Sequence, residues 1–152
     1  MLHGQFDHAV DAKGRVAVPA QFRPHLAPGA VISIGVEGRL VIWPTSTWEI
    51  HLRNMTVTAG TPGEQRTYFR RLNANTRDVE LDAQGRLLIH PSQRDFAGIR
   101  ERATFVGMGE YVELCATERW EEEGRELTPD FFTDLTDRIN PMGFISPPTA
   151  PS

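Results

Sequence analysis

An aspartate and an arginine four residues apart occur twice in the chain, as Asp11 and Arg15 in "DAKGR" and as Asp82 and Arg86 in "DAQGR". The glycine before each arginine suits a positive φ angle at a turn, and the aspartate can accept hydrogen bonds from backbone N–H groups of that turn. A single motif is explained by an ordinary hairpin with a surface ion pair, which stabilises a protein by at most about 1 kcal/mol. Arginine can also bind a guanine edge with two hydrogen bonds, or hold a phosphate.

The repetition of the motif favours DNA binding over the purely structural explanation. Two arginines on rigid turns that are related by two-fold symmetry can contact two positions of a DNA duplex. We therefore predict that Arg15 and Arg86 contact DNA and that Lys13 adds a phosphate contact. Asp11 and Asp82 are expected to hold the arginine side chains rather than to face DNA, because a carboxylate repels phosphate.

The two motifs lie within a longer internal repeat, in which "VDAKGRVAVPAQFR" at 10–23 matches "LDAQGRLLIHPSQR" at 81–94. With one residue inserted, Gly35 falls on Gly107, and the similarity spans roughly 40 residues in each half. Neither half alone has enough strands and helices to bury both faces of a sheet. The sequence therefore predicts a mainly β protein with short helices, of the α+β class, whose halves share one barrel-like core.

Each half has the same predicted order of elements. A strand before the turn and a strand after it are predicted to pair as a hairpin, followed by a short helix, a second hairpin and a longer helix. In the first half, the longer helix is predicted in "TSTWEIHLRNM", where Ser46 and Glu49 have the spacing of a capping box. The predicted divisions are a first unit at 1–57, a linker and connecting helix at 58–75, a second unit at 76–126, and a C-terminal helix with a disordered Pro-rich tail at 127–152.

The charge of the chain is unevenly distributed. The net charge is -4, but residues 1–100 hold 12 Lys and Arg against 9 Asp and Glu, whereas residues 101–152 hold 4 against 11. A DNA partner is therefore compatible with the first two thirds of the chain, since phosphate binding depends on basic residues. No apolar run approaches the roughly 18 residues of a membrane span, and the start does not resemble a secretion signal. We expect a cytoplasmic protein without a membrane partner.

The sequence gives little support to an enzyme. Cys115 lies in an apolar run typical of a strand, where a buried structural thiol is expected rather than a nucleophile. The five histidines lack the spacing of metal ligands, and we predict neither a metal nor a cofactor. The alternative to a DNA-binding protein is a non-catalytic interaction protein, such as an antitoxin-like partner or a scaffold, because this hairpin architecture would serve it as well.

Four segments closely resemble the MraZ family of bacterial transcriptional regulators, namely "HGQFDHAVDAKGRVAVPAQFR", "LVIWPTSTWE", "VELDAQGRLLIHPSQRDFAGI" and "VELCATERWEE". The resemblance covers nearly all of residues 1–125. It implies a fold of the SpoVT-AbrB type, in which two tandem hairpin units interlock as an intramolecular pseudo-dimer. It further implies sequence-specific binding to promoter repeats upstream of the protein's own division and cell-wall operon, self-association into a ring-like homo-oligomer, and association with the nucleoid.

The resemblance also assigns residues. The two DxxxR motifs of the family fall on Asp11, Arg15, Asp82 and Arg86. Lys13 matches the basic residue of the first motif, whereas the second motif has Gln84 at that place, so the contacts from the two halves need not be equal. The function expected from this match is repression, by a regulator that occupies its own promoter.

Overall fold

The computed structural model describes residues 1–140. Among these residues the strands are β1 (Gln5–Ala9), β2 (Arg15–Ala17), β3 (Ala30–Ile34), β4 (Leu40–Pro44), β5 (Arg77–Val79), β6 (Arg86–Leu88), β7 (Arg102–Gly107) and β8 (Val112–Ala116). The helices are α1 (Arg23–Leu26), α2 (Thr45–Asn54), α3 (Pro62–Ala74), α4 (Pro91–Ala97), α5 (Thr117–Gly124) and α6 (Pro129–Ile139). Residues 1–117 form one compact unit, and residues 118–140 belong to a second.

The two halves of the first unit exchange strands. Its antiparallel six-stranded sheet has the order β1-β7-β8-β4-β3-β5, and β2 and β6 form a separate antiparallel ribbon. The predicted hairpin of β1 with β2 is therefore wrong, as is that of β5 with β6. Around the first turn only the bridge between Val10 and Val16 remains, because β1 leaves to pair with β7 and β2 leaves to pair with β6. The halves are interlocked, which explains how two small halves bury one core.

The strand registers define a two-fold relation between the halves. Val16 lies opposite Leu87 in the ribbon, and Val41 lies opposite Glu113 in the sheet. The two residues of each pair are equivalent in the repeat, so exchanging the halves leaves the pair unchanged. Both pairs therefore lie on the two-fold axis. The alignment expected from the sequence pairs Gly107 with Gly35. The registers of the hairpins β3–β4 and β7–β8 instead make Gly107 equivalent to Ile34, because the β3–β4 loop is one residue longer.

One cluster of buried side chains joins the ribbon to the sheet. Its members include Val16 and Leu87 from the ribbon and Ile32, Phe105 and Leu114 from the sheet, each at most 1% exposed. In the described part of the chain, β1 and β5 form the two edges of the sheet. The strand pairings within residues 1–140 thus form an open sheet and not the barrel-like closure predicted from the sequence.

A smaller aromatic cluster covers the sheet beside α2. The Trp43 ring stacks on His51 at 4.4 Å and on Tyr111 at 4.7 Å between ring centroids, with Trp48 at 6.2 Å. The predicted capping box at the start of α2 is wrong. The helix follows β4 without a break and begins at Thr45, one residue before Ser46. No side chain caps it, and the N–H group of Thr45 donates to the Gly29 carbonyl at 3.1 Å.

The second unit contains α6, in the segment for which the sequence predicts a C-terminal helix. The Thr128 side chain caps this helix by accepting the backbone N–H of Phe131 at 3.1 Å. The predicted Pro-rich tail falls largely on residues 141–152, outside the described residues. The division of the chain at residues 57, 75 and 126 stays a prediction. No helix within residues 1–140 is long and apolar enough to cross a membrane.

Candidate nucleic-acid interface

The first DxxxR turn is held by its own aspartate. Asp11 Oδ1 accepts the backbone N–H groups of Lys13 and Arg15, both at 2.9 Å, and its backbone carbonyl accepts the N–H of Gly14 at 3.0 Å. Gly14 has a φ of 89°, a backbone conformation that residues with a side chain rarely adopt. The predicted positive φ and the predicted aspartate cap are both confirmed.

The second turn has the same geometry. Asp82 Oδ1 accepts the backbone N–H groups of Gln84 and Arg86, both at 2.9 Å, and Gly85 has a φ of 76°. The Arg86 backbone N–H lowers the pKa of Asp82, and the Arg15 backbone N–H does the same for the pKa of Asp11. Both carboxylates are therefore ionised at neutral pH and stay available to a guanidinium group.

Each turn is hydrogen-bonded to the residue that follows the ribbon strand of the other half. The Gly14 carbonyl accepts the N–H of Ile89, and the Gly85 carbonyl accepts the N–H of Val18, both at 2.9 Å. A Cβ atom on Gly14 would lie 2.8 Å from the Ile89 carbonyl oxygen, so only glycine fits without a shift of the backbone. The position of each turn is thus set by the opposite half of the unit.

The ribbon has one buried and one outward face, because successive side chains of a strand point to opposite sides. Val16 and Leu87 are buried in the core. The outward positions are Arg15, Ala17, Arg86 and Leu88. Arg15 lies directly opposite Leu88, and Arg86 lies opposite Ala17, so the two arginines occupy diagonal positions of the antiparallel pair. Cα atoms at such positions are about 7–8 Å apart. The ribbon therefore brings both predicted DNA-binding arginines to one small surface.

The two arginines have unequal partners. Arg86 Nε donates to Asp82 Oδ2 at 2.9 Å, and Arg86 Nη1 lies 3.7 Å from Asp11 Oδ2. The predicted pair of Asp82 with Arg86 is therefore present. The corresponding pair of Asp11 with Arg15 is not, since no carboxylate within residues 1–140 lies at ion-pair distance from the Arg15 guanidinium.

Two further arginines near the turns were missed as site residues. Arg23 Nε donates to the Val18 carbonyl at 2.8 Å, and its guanidinium lies against Gly85 of the other half. Arg94, its equivalent in the repeat, lies against Gly14. The alignment of 10–23 with 81–94 pairs these two arginines, which was the signal available in the sequence.

The described residues hold no cluster of His, Cys, Asp and Glu that could bind a metal ion. Cys115 is fully buried, and its sulfur lies 3.9 Å from the backbone carbonyl of Thr104. The predicted burial of this thiol is confirmed.

The chain is similar to proteins of one family. The family model described as "MraZ protein, putative antitoxin-like" matches the chain twice, over residues 1–68 and 72–140. A "Transcriptional regulator MraZ" of Herpetosiphon aurantiacus is 35% identical over 121 residues, which cover 80% of this chain and 85% of that protein. The protein of the same name from Lachnoclostridium phytofermentans is 32% identical over 143 residues, which cover 94% of this chain and 98% of that protein.

The two matches of the family model correspond to the two halves that exchange strands, and each contains one DxxxR turn. The family is one of regulators and not of enzymes. The chain belongs to the MraZ family of transcriptional regulators.

Proposed function

We propose that the chain is a sequence-specific DNA-binding regulator that places the β2–β6 ribbon in the major groove. The observation that carries this proposal is the outward face of the ribbon, where Arg15 and Arg86 lie together beside the two-fold. Neighbouring strands are about 4.8 Å apart, and the major groove of about 12 Å admits a two-stranded ribbon. The buried face of the ribbon fixes it to the core, so the arginines project from a rigid support.

The residues of the turns take distinct roles in this proposal. Arg15 and Arg86 contact base edges, where one arginine can bind a guanine through two hydrogen bonds. Lys13, exposed at the tip of its turn, binds a phosphate. Asp11 and Asp82 hold the turns, their carboxylates both lie beside the Arg86 side chain, and they do not contact DNA.

The wider function follows from the family and from the size of the site. Relatives carry the name "Transcriptional regulator MraZ", and we extend to this chain the SpoVT-AbrB type of fold and DNA binding. One ribbon makes few contacts, so tight binding requires several subunits of a ring-like homo-oligomer on successive promoter repeats, which raises the effective concentration of each ribbon. Such a complex upstream of the protein's own division and cell-wall operon excludes polymerase and represses transcription. The protein then acts in the cytoplasm, on the nucleoid.

The test is a binding titration on the DNA upstream of the protein's own gene, with a scrambled fragment of the same length. Arg15→Ala and Arg86→Ala should each weaken operator binding about 10- to 100-fold, as expected for loss of a base contact. Arg66→Ala on α3, away from the ribbon in sequence and equal in charge change, is the control and should bind as the parent does. If both ribbon variants bind as well as Arg66→Ala, the assigned contacts are wrong.

A second arm separates phosphate binding from base recognition. Lys13→Gln gives the first turn the sequence of the second, "DAQGR", and so preserves the turn while it removes one charge. This variant should bind operator and scrambled DNA more weakly by the same factor, and its salt dependence should fall by about one phosphate contact. A scaffold or antitoxin-like protein would show neither a preferred sequence nor a steep salt dependence in the parent chain.

A further inference from the structure

We propose that Asp11 is a positioning residue for Arg86 of the opposite half, and that the two arginines therefore contact DNA unequally. Arg86 is held before DNA arrives, whereas Arg15 is ordered only on binding. This inference rests on the proposed function, because it assigns different tasks to the two arginines of the same ribbon.

The two oxygens of Asp11 have separate tasks. Oδ1 accepts the N–H groups of its own turn, from Lys13 and Arg15. Oδ2 lies 3.7 Å from Nη1 of Arg86, whose Nε is bound by Asp82 at 2.9 Å. One guanidinium thus donates a hydrogen bond to one carboxylate and lies at ion-pair distance from a second, one from each half, although the two aspartates are equivalent in the repeat.

The residues opposite the arginines differ between the halves. Ala17 lies opposite Arg86, and Leu88, the equivalent of Ala17, lies opposite Arg15. Leu88 is 53% exposed, so it places a large apolar side chain on the outward face next to Arg15 only. The small Ala17 leaves the outward face beside Arg86 open, and the Arg86 side chain is the one that reaches the aspartate of the other half.

The difference has a consequence for DNA recognition. A side chain that is already held loses less conformational freedom on binding. It can also adjust less to the position of the base edge that it contacts. The base pair that meets Arg86 should therefore be specified strictly. The base pair that meets Arg15 should tolerate more substitutions, so the two halves of an operator repeat need not be symmetric.

Asp11→Asn isolates the positioning role. Asparagine keeps an oxygen for the turn and removes the negative charge that faces Arg86. The first measurement needs no DNA and uses ¹⁵N relaxation of the arginine Nε–H groups in the full chain. We expect Asp11→Asn to lower the order parameter of Arg86 and to leave that of Arg15 unchanged. Asp82→Asn is the positive control, because it removes the charge at 2.9 Å from Arg86 Nε. An unchanged Arg86, or a change confined to Arg15, would overturn the proposal.

The second measurement is a double-mutant cycle on DNA, read as the ratio of operator to scrambled affinity. This ratio is used because removing a carboxylate strengthens binding to any DNA. Asp11→Asn should lower the ratio about threefold in the parent and in Arg15→Ala, as expected for an exposed ion pair, but should have no effect in Arg86→Ala. A loss that persists in Arg86→Ala contradicts the proposal. If the parent ratio is one, the proposed function fails, and the relaxation experiment still decides the contact between Asp11 and Arg86.

Discussion

Replacing Gly14 by alanine tests whether the first turn is fixed against the opposite half. Gly14 has a φ of 89°, and a Cβ atom built there lies 2.8 Å from the Ile89 carbonyl oxygen. Gly109 supplies a matched control, because its φ of 92° is nearly the same and its Cβ would meet nothing within 4 Å. Both substitutions cost the strain of a positive φ, but only Gly14→Ala disturbs a contact between the halves.

The two costs can be separated. The positive φ disfavours an L side chain by about 1–2 kcal/mol, and this is the expected loss for Gly109→Ala. Forcing an extra carbon into a close-packed site adds about 1–3 kcal/mol, since the carbonyl is backbone and cannot rotate away. Gly14→Ala should therefore lower the free energy of unfolding by about 1–3 kcal/mol more than Gly109→Ala does.

Urea unfolding of both variants and the parent, followed by tryptophan fluorescence, measures this difference. Gly14→Ala should also weaken operator binding, because relief of the overlap moves Arg15 relative to Arg86, whereas Gly109→Ala should bind normally. Equal losses of stability in the two variants would refute the claim that the opposite strand determines the position of the turn.

Further substitutions have expected outcomes. Leu87→Ala, buried at the two-fold, should lower the free energy of unfolding by about 2–5 kcal/mol, whereas its exposed neighbour Leu88→Ala should change it by less than about 0.5 kcal/mol in the same urea assay. Asp11 and Asp82 have folded pKa values below 3.8, so their contribution to stability is present above that pH and is lost as the pH falls through the lower folded values. Replacing both by asparagine should flatten the decline of the unfolding free energy below about pH 4 in acid titrations. Thr104→Val should cost about 1–3 kcal/mol in thermal unfolding, because the buried hydroxyl donates to a carboxylate at 2.7 Å and lies 3.0 Å from a second buried hydroxyl.

The turns were predictable from the sequence because their chemistry is local. An aspartate, a glycine and an arginine within five residues determine the hydrogen bonds and the positive φ of the loop, and both loops have the expected geometry. The second hairpins, β3 with β4 and β7 with β8, were predictable for the same reason, since each joins adjacent strands through a short loop.

The pairing of the remaining strands was not predictable from local pattern. A turn that joins two strands normally indicates a hairpin, but here only an isolated bridge between Val10 and Val16 closes the first turn. The main partner of β2 is β6, where Val16 lies opposite Leu87 and both side chains are buried. Periodicity shows which face of a strand is buried and does not show which strand lies beside it. The barrel-like core was expected because neither half alone can bury both faces of a sheet. The halves do share one buried core, but β1 and β5 stay the edges of an open sheet in the described residues.

The unequal arginines show how far the two-fold symmetry of this unit extends. In the core, the equivalent residues Val16 and Leu87 lie opposite each other at the two-fold axis, so the size of one side chain limits the size of the other. The outward face of the same two strands has no such constraint. Ala17 and Leu88 are equivalent positions that differ greatly in size, and an exposed substitution of this kind changes stability little. A repeat built in this way keeps one rigid support for two arginines while their surroundings diverge. Under the proposed function, this arrangement suits a DNA repeat whose two halves are not identical.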